Sequence, residues 1–143
     1  MMVVQVFTWR KLESVLMARI LLIDDSNLIL NMFEKGLTRA GHEIVGKAKD
    51  GEQGVKLFNE LNPDLILLDI TMPNKDGREC LAEMLETKPS AKVVMCSAVM
   101  DEKVRQECIQ QGARAFIVKS SLSSASDFST KVIDVINPIL NAA

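Results

Sequence analysis

The stretch DLILLDITMP, residues 64–73, decides the fold and marks the first candidate functional residue. Its apolar run is short and unbroken, ends at Asp69, and is followed by a loop with Pro73 that cannot continue a strand. Such a run is typical of a strand buried on both faces of a sheet. Because ligands of open parallel sheets bind at the carboxyl ends of the strands, the pattern predicts that Asp69 lies in a reactive crevice.

A second run of the same form, RILLI at residues 19–23, ends at Asp24 and Asp25. The carboxyl ends of parallel strands share one edge of a sheet, so Asp24, Asp25 and Asp69 are expected to converge. Carboxylates that close together repel one another and raise each other's pKa unless a cation lies among them. The sequence therefore predicts a site for a hard, oxygen-binding ion such as Mg²⁺.

Two further apolar runs each deliver a polar side chain to the same edge. Residues 91–96 precede Ser97, and residues 113–118 precede Lys119. A hydroxyl and an ammonium beside a metal ion would hold a tetrahedral anion on Asp69. The combination favours phosphoryl transfer onto a carboxylate, where positioning and charge neutralisation supply most of the catalysis.

With these motifs in this order, residues 18 to about 140 resemble the receiver domain of two-component response regulators. The resemblance implies that Asp24 and Asp25 hold Mg²⁺. It implies that Asp69 contacts the metal and accepts phosphate from a phosphohistidine, and that Thr71 lends a backbone carbonyl to the metal. The implied protein is a cytoplasmic phosphorelay component that assists its own phosphorylation and dephosphorylation but is not otherwise an enzyme.

The resemblance also implies a switch. Ser97 and Lys119 would bind the phosphoryl group, and Phe116 would swing inward when Ser97 is engaged. Two positions depart from the commonest family pattern, since Phe116 replaces a Tyr and Ser120 stands where a Pro usually follows the Lys. That Pro typically follows a cis bond that helps the Lys reach the site. We therefore expect a cis Lys119–Ser120 peptide, although cis costs about 2.5–4 kcal/mol before a residue other than proline.

Helical patterns alternate with the strands in βα order. Ser26 is a candidate N-cap of the first helix, and Asp50 with Gln53 resembles a capping box for the second. We expect helices from Ser26 to Ala40, from Asp50 to Glu60, and at residues 78–87, 101–111 and 126–136, with a further strand at residues 43–48. The predicted fold is α/β: a doubly wound five-stranded parallel sheet of order 2-1-3-4-5, a flavodoxin-like three-layer sandwich. This order rests on the resemblance as much as on the crossover rules.

Composition limits the remaining possibilities. The chain of 143 residues is long enough for one domain with its own core. A net charge of −2 gives no electrostatic footprint for nucleic acid, and no apolar stretch approaches the roughly 20 residues of a membrane span. The three cysteines form no C-x-x-C pair and are expected to be buried free thiols. His42 is the single histidine, so a histidine-based metal site or catalytic triad is nearly excluded.

Two regions outside the site carry expectations of their own. Residues 1–17 form an N-terminal extension ahead of the domain at residues 18–143 and are too apolar for a solvated tail, so we expect them to pack on the domain or on a neighbouring chain. In the first helix, Leu28 and Leu30 flank an apolar stripe of Ile29, Met32, Phe33, Leu37 and Ala40. We expect both leucines to be exposed and to contact a helical phosphodonor.

Three other functions use sites related to this one. A haloacid-dehalogenase-type phosphatase needs a second Asp where this chain has Thr71, and a dinucleotide-binding oxidoreductase needs a glycine-rich turn that residues 24–26 do not offer. A degenerate receiver that binds proteins without phosphorylation stays open as the alternative. The expected partners are a sensor histidine kinase or histidine phosphotransfer protein and a downstream protein target, reached by contact because no output domain follows Ala143.

Overall fold

The computed structural model describes residues 17–142, so the predicted N-terminal extension lies outside the described residues except for Met17. Five strands form one sheet: β1 (Arg19–Ile23), β2 (Glu43–Ala48), β3 (Leu65–Asp69), β4 (Val93–Ser97) and β5 (Ala115–Val118). They are all parallel and stand in the order β2-β1-β3-β4-β5. The predicted fold class and strand order are confirmed.

Five helices connect and follow the strands: α1 (Asn27–Arg39), α2 (Gly51–Leu61), α3 (Gly77–Thr87), α4 (Glu102–Gln111) and α5 (residues 125–141). The predicted caps form, since the Ser26 side chain accepts a hydrogen bond from the Ile29 amide and Asp50 accepts one from the Gln53 amide. A π-helical turn, Ser129–Ile133, interrupts α5 between its α-helical segments Ala125–Phe128 and Asp134–Asn141.

The two faces of the sheet are covered by different helices, which gives the three layers. Alternate residues of each strand point to opposite faces, so Leu21 and Leu68 pack under α2, α3 and α4 while Leu22 and Leu67 pack under α1 and α5. All four side chains are at most 2% exposed. Full burial of one such side chain stabilises a fold by about 1.5–3 kcal/mol, and these layers therefore hold the strand ends in place.

The prediction that both Leu28 and Leu30 are exposed is wrong for Leu30. Leu28 is 77% exposed, but Leu30 is only 5% exposed and packs on the sheet. The reason is helical period, because Leu30, Phe33 and Leu37 recur at three and four residue intervals and form the buried face of α1. Ile29 lies at the margin of that face and is half-buried.

The ends of several predicted elements also differ. β4 and β5 begin two residues later than expected because the amides of Ala91 and Ala113 close turns onto the carbonyls of Lys88 and Cys108. Helix α5 runs on to residue 141 in spite of Pro138. Proline inside a helix costs about 3 kcal/mol, but Ile136 is fully buried beneath this segment, and the residues beyond the proline pack on the same core.

The thiol prediction is confirmed, because Cys80, Cys96 and Cys108 are all buried and free. Across residues 17–142, no helix combines the length and apolarity needed to cross a membrane.

Candidate functional site

Three carboxylates meet at the carboxyl edge of the sheet. Asp69 ends β3, and Asp24 and Asp25 follow the neighbouring strand β1. One oxygen from each residue lies within 4.8 Å of the others, and this is the one such group found between residues 17 and 142. Asp24 and Asp69 are buried, whereas Asp25 is exposed. Closely spaced carboxylate oxygens, one of them open to solvent, are a donor set that fits Mg²⁺.

Lys119 brings the only cation in the described part of the chain that pairs with these groups. Its ammonium nitrogen lies 2.7 Å from Asp24 Oδ2 and 3.0 Å from Asp69 Oδ1. The Lys119 side chain is 10% exposed, so both hydrogen bonds are shielded from water. On its other side, Asp24 Oδ1 accepts a hydrogen bond from the Ser26 amide at 2.9 Å, which fixes the carboxylate at the start of α1.

The expected cis bond before Ser120 is wrong. No peptide bond between residues 17 and 142 is cis, and the chain continues from β5 into a short 3₁₀ turn, Lys119–Ser121. Lys119 nevertheless reaches Asp69. A trans bond is the lower-energy form before any residue other than proline, and this turn delivers the ammonium without the proline.

The protonation behaviour of the site reflects its excess negative charge. Burial raises the pKa of Asp69, and the neighbouring Asp24 and Asp25 raise it further, while Lys119 opposes the shift. Burial would lower the pKa of Lys119, but hydrogen bonds to Asp24 and Asp69 outweigh it and the pKa lies above its ordinary value. In addition to burial, a single ammonium does not balance three carboxylates, so the site attracts protons or cations.

The other predicted site residues do not join the carboxylates. Ser97 ends β4, and its hydroxyl donates a 2.8 Å hydrogen bond to the carbonyl of Val99. Thr71 is exposed in the loop after β3, two residues beyond Asp69. Phe116 is half-buried in β5 against the core under α2–α4. The structure therefore brings the four charged residues together without these three.

Sequence reasoning missed the close packing behind the phosphoacceptor candidate. Gly77 starts α3, and a Cβ placed on it would lie 2.1 Å from the carbonyl oxygen of Asp69. The Gly77 amide also donates a 2.7 Å hydrogen bond to the Ile70 carbonyl. Any side chain at residue 77 would push the loop away from β3. The available signal was a glycine directly after the N-cap Asp76, at the start of a helix where glycine is otherwise unfavourable.

Sequence reasoning also missed apolar side chains around the site. Val99 and Met100, in the loop between β4 and α4, are 64% and 56% exposed. With Leu28 in the first turn of α1, they leave apolar surface on a helix and on a loop that follow strand ends. Apolar residues next to a predicted strand end were the signal that could have identified them.

Comparison with known proteins agrees with this geometry. The family model described as response regulator receiver domain matches residues 20–128. Protein CcdB of Bacillus subtilis is 37% identical over 124 residues, which are 87% of this chain and 98% of that protein. Chemotaxis protein CheY of Thermotoga maritima is 34% identical over 121 residues, 85% of this chain and 96% of that protein.

Among solved structures, the CheX-CheY-BeF3-Mg+2 complex from Borrelia burgdorferi contains a similar chain. It superposes with a TM-score of 0.75 at 33% identity, covering 82% of this chain and 88% of that one. The residues matched by the family model include all four clustered charges. The chain therefore belongs to the response regulator receiver domain family and is a response regulator of two-component signalling.

Proposed function

We propose that Asp69 accepts a phosphoryl group from a phosphohistidine of a sensor histidine kinase or a histidine phosphotransfer protein. A carboxylate oxygen of Asp69 attacks phosphorus, and the bond from phosphorus to the histidine nitrogen breaks. The observation that carries this proposal is the cluster itself, with three carboxylates within 4.8 Å and one shared ammonium. A purely structural cluster would gain nothing from that uncompensated charge.

The surrounding residues divide the work. Asp24, Asp25 and Asp69, with the backbone carbonyl of Thr71, would hold Mg²⁺, which when bound supplies positive charge to the phosphoryl oxygens. Lys119 lies against Asp69 and would pair with another phosphoryl oxygen as a point charge. Ser97 would donate its hydroxyl to the phosphoryl group in place of the Val99 carbonyl.

The same exchange of hydrogen bonds would start the signal. When the Ser97 hydroxyl leaves the Val99 carbonyl, the loop before α4 is released and drawn toward Asp69. Phe116 is half-buried beside this face and would move inward as the loop closes. Helix α4, strand β5 and helix α5 would shift together between two states, and a coupling of about 1–3 kcal/mol is enough to switch a partner.

The output is proposed to be contact with a downstream protein. The CheY chain of Borrelia burgdorferi, which this chain resembles, is described in a complex with CheX. Val99 and Met100 expose apolar surface in the loop that the proposed switch moves, and such surface commonly marks interaction sites. Phosphorylation would therefore change which partner surface the loop presents.

The deciding experiment is phosphorylation by acetyl phosphate, followed by intact-mass measurement. The wild-type protein should gain one phosphoryl group in the presence of Mg²⁺ and none in the presence of EDTA. Asp69→Asn should not be labelled. Asp64→Asn is the matched control, because it removes a carboxylate just before the same strand and should be labelled normally.

Two results would overturn the proposal. Labelling of Asp69→Asn would show that another residue is the acceptor. Failure of the wild-type protein to label, with retained binding to a partner, would favour the degenerate receiver. The switch is tested separately by adding beryllofluoride and following amide chemical shifts. Shifts confined to the loops around Asp69 would count against movement of the α4, β5 and α5 face.

A further inference from the structure

The loop between β3 and α3, residues 70–76, is held by contacts with residues outside the loop. Asn74 adopts a left-handed backbone conformation with φ of 70°. Among the non-glycine residues from 17 to 142, only Asn62 also has a positive φ. Asparagine tolerates this conformation better than most residues, but it persists where the surroundings determine it.

The surroundings are the first turn of α2. The side-chain amide of Asn74 donates a 3.3 Å hydrogen bond to Asp50 Oδ2. The other oxygen of the same carboxylate, Oδ1, accepts a 2.8 Å hydrogen bond from the Gln53 amide and so caps the helix. Asp50 therefore has two functions, one for each oxygen: it begins α2 and it tethers the loop.

Backbone packing adds a second contact beside this hydrogen bond. A Cβ placed on Gly51 would lie 2.2 Å from the Lys75 carbonyl oxygen and 2.7 Å from Cys80 Sγ, so only glycine allows this approach. Within the loop, the Lys75 amide donates a 2.8 Å hydrogen bond to the Pro73 carbonyl. The middle of the loop is thus fixed against α2, while Gly77 fixes its far end against β3.

We propose that Asn74 is a positioning residue for the metal site, because its hydrogen bond to Asp50 holds the loop that presents the Thr71 carbonyl. A side-chain ligand can be aimed by its rotamer, but a carbonyl ligand points wherever the backbone puts it. Thr71 is exposed and lies between Asp69, which is fixed in β3, and Asn74, which is hydrogen-bonded to the N-cap residue of α2. This inference rests on the proposed function, since it assumes Mg²⁺ at the three carboxylates.

The test is the affinity for Mg²⁺ alone, measured by isothermal titration calorimetry on the full chain. Asn74→Gly keeps the left-handed conformation accessible and removes the tether. Asp50→Ser keeps an N-cap oxygen for the Gln53 amide and also removes the tether. Each variant should bind Mg²⁺ about tenfold more weakly, as expected for loss of an outer hydrogen bond at a metal site. The double variant should bind no more weakly than either single variant, because both remove one interaction.

Asp101→Ser is the matched control. Asp101 caps α4 by accepting a hydrogen bond from the Val104 amide, so this variant makes the same change of charge and cap without touching the loop. Its affinity for Mg²⁺ should stay within about twofold of wild type. At saturating Mg²⁺, labelling of Asn74→Gly by acetyl phosphate should recover, which a general folding defect would not allow.

The outcomes separate the two proposals. Wild-type affinity in both Asn74→Gly and Asp50→Ser would overturn the positioning role while leaving the metal site intact. Additive losses in the double variant would also overturn it, because the residues would then act separately. Absence of Mg²⁺ binding in the wild-type protein would instead refute the proposed function, and the positioning role with it.

Discussion

The amino ends of the strands form one edge of the sheet, the amino edge, and their carboxyl ends form the other, the carboxyl edge. Both edges carry charged residues, but these residues have different partners. At the amino edge, the guanidinium of Arg19 donates to the carbonyls of Leu61 and Asn62, and Asp64 accepts a 2.8 Å hydrogen bond from the Arg19 amide. Lys92 likewise donates to the Ala142 carbonyl at 2.9 Å. These side chains satisfy backbone groups at the ends of helices and strands, which is a structural use.

At the carboxyl edge the charged side chains bind one another. Lys119 is shared between Asp24 and Asp69, and Asp25 adds a third negative charge. The difference shows that a charged residue at a strand end is not by itself a functional signal. The signal is charge that the backbone does not satisfy and that neighbouring side chains do not balance.

The largest effect that would sharpen this contrast is expected from Lys119→Met. The variant leaves Asp24 and Asp69 buried without their cation, and breaking a buried pair costs about 3 kcal/mol. Urea denaturation in EDTA should show this loss, and added Mg²⁺ should restore part of it. Lys56→Met, which removes an exposed pair with Glu60 at 4.0 Å, is the control and should change the free energy of unfolding by less than about 0.5 kcal/mol. Equal losses of unfolding free energy in the two variants would show that the buried Lys119 pairs are no different from an exposed ion pair.

A pH effect is expected at the amino edge. His42 is buried, its Nδ1 accepts a 3.1 Å hydrogen bond from the Ala18 amide, and burial lowers its pKa from 6.5. The unfolded chain therefore takes up the proton first, and stability should fall as the pH drops from about 6.5 through the folded-state pKa. The slope for one group is at most about 1.4 kcal/mol per pH unit.

His42→Asn isolates this effect, because the Asn side chain offers an acceptor to the Ala18 amide and does not titrate. Urea denaturation from pH 7.5 to 5 should give a shallower pH dependence for the variant than for wild type. Asp69, whose pKa is raised, changes stability in the opposite direction in both proteins and cancels in the comparison. Parallel curves would mean that His42 is not the titrating group.

A smaller effect is expected from Asp64→Ala, which removes the acceptor for the Arg19 amide at the amino edge. The free energy of unfolding should fall by about 1 kcal/mol, the typical worth of one hydrogen bond, while labelling by acetyl phosphate stays at the wild-type level. A loss of labelling without a loss of stability would show that Asp64, at the amino edge, takes part in phosphorylation.

The smallest effect is expected from Asp25→Asn, and it has the opposite sign. Asp25 is exposed and lies among like charges, so neutralising it should stabilise the metal-free protein by about 0.5 kcal/mol. The same change should weaken Mg²⁺ binding, which calorimetry measures. A gain of stability joined to a loss of affinity is the mark of a residue retained for binding; loss of both would indicate a structural role.

Much of the fold could be predicted because buried parallel strands have a distinctive sequence. The unbroken apolar runs before Asp24, Asp69 and Lys119 set where each strand ends, and the ends set which side chains meet. The order of strands followed from the crossover rules and the family resemblance. Patterns with a strong period, such as the buried face of α1, fixed the helix but not the burial of each leucine on it.

The rest depends on individual contacts and loop conformations. The hydrogen bond from the Ser97 hydroxyl to the Val99 carbonyl depends on the conformation of the loop after β4. The pairing of Asn74 with Asp50 spans 24 residues. The trans bond before Ser120 depends on the turn that follows it. None of these leaves a periodic or compositional trace, so the sequence predicted that the four charged residues meet and the structure supplied their arrangement.

The buried thiols have a practical consequence for work on the switch. Burial raises the pKa of Cys80 to about 12 and raises that of Cys96 and Cys108 as well, so little reactive thiolate is present at neutral pH. A cysteine introduced at the exposed Val99 should then be alkylated well before the native three. A single fluorophore can thereby be attached two residues from Ser97 without replacing the native cysteines. Its signal would report movement of the loop in real time.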